Sequence, residues 1–275
     1  LDAFGIQTAC LSPTPMLTLG LHPQPEMETN LARAYNRWLV ERIAPADARL
    51  RPFLYLPFNV PADCPKFIEE FGEAHGIAGF MVASARHRAV HDNAYVRSYA
   101  MLEERGLPLA FHAAPEWSPL GLAEANRYLS VYALGFPHFN MLHLANWVVN
   151  GLSERFPRLA VVWMEAGLAW LPFMMQRLDA AYRMRSSEAP ALKAPPSETI
   201  RRMYFASHPL EDTGDLEALE FTFRKINAPT QLMWASGYPQ WNFDVPGTIL
   251  SMPFLDKAAK RNILGETAAR VFRLS

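Results

Sequence analysis

The chain has 275 residues, half of them hydrophobic, and a formal net charge of −1. That length suffices for one large core, and the near-neutral charge gives no basis for binding nucleic acid or an anionic membrane surface. No run of about 18 apolar residues occurs, which argues against a membrane span.

The two cysteines, Cys10 and Cys64, are too few for a disulfide framework. They read as reduced thiols, each a small buried hydrophobe, in a cytoplasmic protein. The opening stretch LDAFGIQTAC carries no basic start and no signal-like apolar segment.

In chain order, the first predicted strand is IQTACLS (6–12). A helix follows over ETNLARAYNRWLVERI (28–43), where Leu31, Ala34, Tyr35, Trp38, Leu39 and Ile43 form one apolar stripe. Next come strand RPFLYLP (51–57), helix DCPKFIEEFGEAH, strand GFMVA (79–83) and helix NAYVRSYAMLEERG. Gly106 stands just past that helix, where a left-handed residue ends it. Strand PLAFHAA (108–114) precedes the helical region HFNMLHLANWVVNGLSERF. Strand LAVVWME (159–165) and helix LAWLPFMMQRLDAAYRM lead to SSEAPALKAPPSE (186–198), an excursion rather than a domain linker. Strand MYFAS (203–207), helix GDLEALEFTFRKI, strand QLMWAS (231–236) and helix LDKAAKRNILGETAARVF complete the chain.

The strand runs are continuously apolar, as expected for strands covered on both faces. Their alternation with helices predicts an α/β fold with a parallel sheet, either a closed barrel or an open doubly wound sheet. No glycine-rich phosphate loop follows the first strand, which disfavours a nucleotide-binding protein. Polar residues gather instead at the C-terminal ends of several strands: His112, Glu165, His208 and the 237–244 loop. That dispersal predicts a single TIM-type (β/α) barrel over residues 1–275, with seven recognisable parallel strands.

Three segments carry a resemblance: ERGLPLAFHAAPEW, NGLSERFPRLAVVWMEAGLAWLPFMMQRLDAAY and WASGYPQWNFD. On these the chain resembles the amidohydrolase-2 family, in its aminocarboxymuconate-semialdehyde-decarboxylase-like branch. The resemblance runs over nearly the whole chain. It implies a distorted TIM barrel with one zinc or manganese ion at the C-terminal face, and hydrolysis or non-oxidative decarboxylation of small aromatic or unsaturated acids. The family's metal ligands come from a first-strand HxH or ExH, a strand-five His matching His112, and the Asp of a last-strand SDYPH. Here that last motif reads SGYPQ, so Gly237 and Gln240 replace the Asp and the His. The HxH strand is not found, and IQTACLS looks like the family's second strand. The expectation is a barrel lacking or altering its first strand, with a degenerate metal site.

His112, Glu165 and His208 are the candidate catalytic residues for metal-independent acid/base chemistry. If they acted together as substitute ligands, the same three would hold zinc or manganese; otherwise no metal or cofactor is expected. His112 read blandly is a satisfied strand-end histidine. Glu165 is either a general acid/base or half of a structural ion pair with Arg177 or Arg127. Trp117, Tyr238 and Trp241 follow strand ends and are candidate pocket walls for an aromatic acid. Arg86, with His87, is a candidate for the substrate carboxylate, or a solvated charge. His143 and Asp244 complete the candidate binding set. The competing reading is a non-catalytic relative that binds a small molecule or serves a partner subunit. An incomplete barrel exposes two strand edges, which predicts a covering element or a homo-oligomer such as a dimer.

Overall fold

The structure is a computed structural model and describes residues 1–86, 88–114 and 122–274. Its centre is one parallel sheet of seven strands in sequence order. These are β1 (Ala9–Leu11), β2 (Leu50–Tyr55), β3 (Gly79–Ala83), β4 (Leu109–His112), β5 (Val161–Met164), β6 (Tyr204–Ala206) and β7 (Leu232–Met233). Each strand pairs only with its sequence neighbours, from Ala9 opposite Leu50 to Ala206 opposite Met233. The sheet curls as an incomplete TIM-type barrel, with β1 and β7 as its two edges.

The helices between strands cover the outer face. They include α1 (Pro25–Trp38), α2 (Cys64–Phe71), α3 (Val96–Arg105) and α4 (Tyr128–Val149). Side chains alternate across the sheet with period two. In β4, His112 faces the barrel interior, while Phe111 faces outward and stacks on Trp163 at 4.7 Å between ring centres. Trp147 of α4 meets Phe111 edge-on from above. Central strands β3 and β4 are buried at every position, which explains their uninterrupted apolar sequence.

All seven predicted strands are present, but the first and the last are much shorter than their apolar runs. Only Leu232 and Met233 pair with β6. The Trp234 amide then donates to the Ile263 carbonyl at 2.7 Å, so the C-terminal turn Asn262–Glu266 takes over from a strand partner. The largest departure from the predicted helices is α4. Its sequence signal points to a start near His138, after Pro137, yet the helix begins at Tyr128 and runs through the proline. Proline lacks a donor in a helix interior and normally marks a boundary. Here the first ten residues of α4 are held by packing of Tyr132 and Phe136, whose rings lie 5.4 Å apart. No helix among the described residues is long and apolar enough to cross a membrane.

Candidate functional site

The interior of the curled sheet opens into a cavity of about 2050 Å³. The inward residues of the strands floor it: Phe53, His112, Val162, Met164, Ala206 and Met233. Its mouth lies where the strands end, as in barrels generally. Of the sequence candidates, His112, Glu165, His208, Tyr238, Trp241 and Asp244 line this cavity.

His112 ends β4 and is buried. Its Nδ1 donates to the Ala113 carbonyl at 2.7 Å. That bond fixes the tautomer and leaves Nε2 as a lone pair. Burial lowers the pKa of His112 from its ordinary value, and the nearby Glu165 carboxylate opposes that shift. The ring is therefore a neutral acceptor.

Glu165 follows β5 with a φ of +61°, a left-handed conformation that a residue with a side chain adopts at a cost on the order of 1 kcal/mol. The strain turns the carboxylate over the end of the sheet. Two residues on, Gly167 is also left-handed, and a β-carbon there would collide with the Glu211 carboxylate. Glu211 uses that space to accept the amides of Leu168 and Ala169, at 2.9 and 2.8 Å, ahead of the helix Trp170–Arg185. The turn bearing Glu165 is thus fixed at both ends. Its partner is neither Arg177 nor Arg127 but His208, with Glu165 Oε2 3.6 Å from Nε2.

His208 stands just beyond β6 and is buried. Its Nδ1 donates to Asp244 Oδ2 at 2.8 Å, and the same oxygen accepts the Leu210 amide at 3.0 Å. The ends of β4, β5 and β6 and the loop after β7 thereby bring together His112, Glu165, His208 and Asp244.

The aromatic wall is built from two elements. Tyr238 and Trp241 come from the loop after β7 and are 70% and 71% exposed. Facing them are Tyr128, Tyr132 and Phe136 of α4. Tyr132 and Trp241 rings lie 5.5 Å apart, and the Asn242 side-chain amide donates to the Tyr132 hydroxyl. The Tyr132 O–H is left to point elsewhere; burial raises its pKa, so it remains a phenol. The three α4 aromatics escaped the sequence reading because they lie before Pro137, where no helix was expected. Their i, i+4 spacing was the available signal.

Two candidates stand apart from the cavity. Arg86 lies on the outer side of the sheet, its guanidinium over Phe58 at 4.5 Å and over Phe111 at 5.5 Å. None of its three nitrogens has a hydrogen-bond partner among the described residues. It is neither a solvated charge nor a cavity residue. His143, on α4, donates from Nε2 to the Ser84 carbonyl at 2.7 Å and packs between Phe111 and Phe139, again behind the sheet. Trp117 and His87 lie outside the described residues. Cys10 reaches the cavity, but burial pushes its thiol up to about 12, so it is not a thiolate nucleophile at neutral pH. Cys64 is buried and also free.

The family resemblance implies a divalent ion, and the described residues do not fit one. Gly237 offers no donor, and a β-carbon on it would lie 2.2 Å from His208 Nε2. His208 spends Nδ1 on Asp244. No group of three or more His, Cys, Asp or Glu among the described residues is placed to hold a metal, so His112, Glu165 and His208 do not form a substitute cage.

The structure resembles 5-carboxyvanillate decarboxylase from Sphingomonas paucimobilis, with TM-score 0.80 and 24% identity, covering 100% of this chain and 81% of that one. It also resembles 2,6-dihydroxybenzoate decarboxylase from Rhizobium, with TM-score 0.78 and 20% identity over 99% of this chain and 86% of the other. A third likeness is dihydroxybenzoic acid decarboxylase from Polaromonas sp. JS666, with TM-score 0.78 and 20% identity over 99% and 83%; that structure holds manganese and 2-nitroresorcinol. No curated protein sequence matches. At these identities the structural likenesses establish the barrel fold, and the sequence itself matches the Amidohydrolase family over residues 21–274. The chain belongs to the amidohydrolase family.

Proposed function

We propose that this protein is a non-oxidative carboxy-lyase for a small aromatic carboxylic acid, working by acid/base chemistry without a metal. The observation that carries the reading is the convergence of His112, Glu165 and His208 on one aromatic-walled cavity. The wall fits a planar ring, since stacked and edge-on ring contacts are favourable. The neighbours that share the fold act, by name, on carboxyvanillate and dihydroxybenzoate.

The residues have separable tasks. His112 is neutral and presents a lone pair, so it accepts a hydrogen bond from a ring hydroxyl beside the carboxylate. Glu165 and His208 hold and deliver protons. Tyr132 and Trp241, in contact with each other, form one wall against which the ring packs. The cations on the described cavity wall are Lys257, Lys260 and Arg261, on the C-terminal segment. Steering an anionic substrate falls to them rather than to Arg86.

The test is a panel of hydroxylated benzoates, including 2,6-dihydroxybenzoate and 5-carboxyvanillate, followed by chromatography for loss of the acid and gain of the decarboxylated phenol. Turnover is expected with the native protein, and His112→Ala is expected to raise KM and lower kcat by about 10²-fold. Tight binding without turnover would favour the alternative of a non-catalytic binding protein. Homo-oligomerisation through exposed α4 residues such as Leu129 and Leu134 is part of the same proposal. Light scattering reads it directly.

A further inference from the structure

His208 and a side chain at position 237 compete for one volume. A β-carbon on Gly237 would stand 2.2 Å from His208 Nε2, 2.5 Å from Cδ2 and 2.5 Å from Cε1. These contacts are with the ring itself, so no small shift relieves them. Gly237 also has a φ of +64°, which glycine alone adopts freely. Glycine at 237 and the imidazole in its present place are a matched pair.

What holds the imidazole there is Asp244. Its Oδ2 takes the Nδ1 proton at 2.8 Å and the Leu210 amide at 3.0 Å. The Asp244 amide in turn donates to the Ser236 carbonyl at 2.8 Å, which ties the carboxylate to the end of β7. With Nδ1–H committed to Asp244, a neutral ring would present a lone pair at Nε2 to the lone pairs of Glu165. One proton between them turns that repulsion into attraction. The 3.6 Å separation is too long for a direct hydrogen bond. A proton on Nε2 would lie near Glu165 without being spent on it, at the cavity surface.

We infer that His208 is the general acid of the site, oriented by Asp244 and backed by the Glu165 charge, in space that Gly237 keeps open. The inference rests on the decarboxylase reading above. In the step, the ring carbon bearing the carboxylate takes the Nε2 proton. The bond to the carboxylate carbon then breaks, its electron pair returns to the ring, and carbon dioxide leaves. Water returns a proton to the His208–Glu165 pair. The carboxylate and one proton give arene and carbon dioxide, and no redox partner is needed. Asp244 touches His208 rather than substrate and is a positioning residue.

The experiment compares native protein, His208→Gly and Asp244→Asn on the best acid of the panel, with and without added imidazole. His208→Gly should lose about 10²- to 10⁴-fold in kcat with KM little changed, the usual range for a positioned acid. Free imidazole should restore part of that rate in His208→Gly alone, since the deleted ring leaves a matching hole. Asp244→Asn, nearly isosteric, should keep KM and lose kcat, because an amide also stabilises the wrong tautomer. Native kcat in His208→Gly would overturn the inference while leaving the decarboxylase reading intact. Absence of turnover by the native protein on every acid would instead refute that reading, and the inference with it.

A second readout needs no activity. Gly237→Ala should lower the Tm more in the native background than in His208→Gly, because backbone strain is common to both and only the ring contact differs. Equal losses in both backgrounds would overturn the shared-volume argument.

Discussion

Glu28 shows how one residue couples burial to pH. It sits on α1 behind the sheet, accepting from the Tyr55 hydroxyl at 3.0 Å and the Asn59 amide at 3.2 Å. Burial pushes its carboxyl up to about 7, against the lowering effect of those bonds and of the Arg86 charge. A folded-state value above the unfolded one means that the native state holds the proton more tightly. The contribution to stability is complete below the unfolded value near 4.5 and is lost as pH rises through about 7. Urea unfolding should therefore show stability falling from pH 5 to pH 8, by an amount on the order of 2 kcal/mol attributable to this group. Glu28→Gln should flatten that part of the slope. An unchanged slope in the variant would assign the pH dependence elsewhere.

The same scale shows what the sequence could and could not reveal. The placement of His112, Glu165 and His208 at the cavity is legible because each ends an apolar run, and a strand end is a defined place in a barrel. The link from His208 to Asp244 spans 36 positions, so no local spacing announces it. Arg86 was misplaced for a geometric reason. It follows β3 by three residues, where the in-and-out alternation of the strand no longer determines a face. Ser84 and Ala85 are both buried, and the chain turns the guanidinium outward onto Phe58 and Phe111.

Among elements, the turn between β5 and the helix Trp170–Arg185 is where fold and site meet. A helix begins with unpaired amides, and a carboxylate there satisfies donors and complements the helix dipole. Glu211 does this from outside the helix, bonding the Leu168 and Ala169 amides. Glu211→Ala should cost about 1 kcal/mol, read as a lower midpoint in urea. It should also lower kcat, because the turn it braces carries Glu165 in its left-handed conformation. A stability loss with native kcat would show that Glu165 keeps its place unaided. This cap was not visible in sequence, since the capping residue lies more than forty positions after the amides it serves. Helix α4 was half visible for the opposite reason. Its uninterrupted apolar character is strong, but Pro137 masks the first ten residues, and those carry the aromatic wall.

For the whole molecule, seven continuous apolar runs predict seven parallel strands, because a parallel strand buried on both faces leaves an uninterrupted signature; the polar residues dispersed over several strand ends decide for a TIM-type barrel over an open sheet. The cavity was not predictable in extent, since it arises where edges β1 and β7 are walled by residues 1–8 and by the C-terminal turns rather than joined to each other. The chemistry of that cavity gives a last expectation. An ion that binds only the folded state stabilises it in proportion to the logarithm of its concentration over its dissociation constant, so stripping a resident ion from a metalloenzyme lowers the Tm. In this chain the volume beside Gly237 is filled by His208, whose Nδ1 is bound to Asp244. Dialysis against a strong chelator should leave both Tm and turnover unchanged, with far less than one zinc or manganese per chain by mass spectrometry before treatment. A stoichiometric ion whose removal lowers the Tm and abolishes turnover would show that His208 yields its place to a metal, and would return the site to the chemistry its family implies.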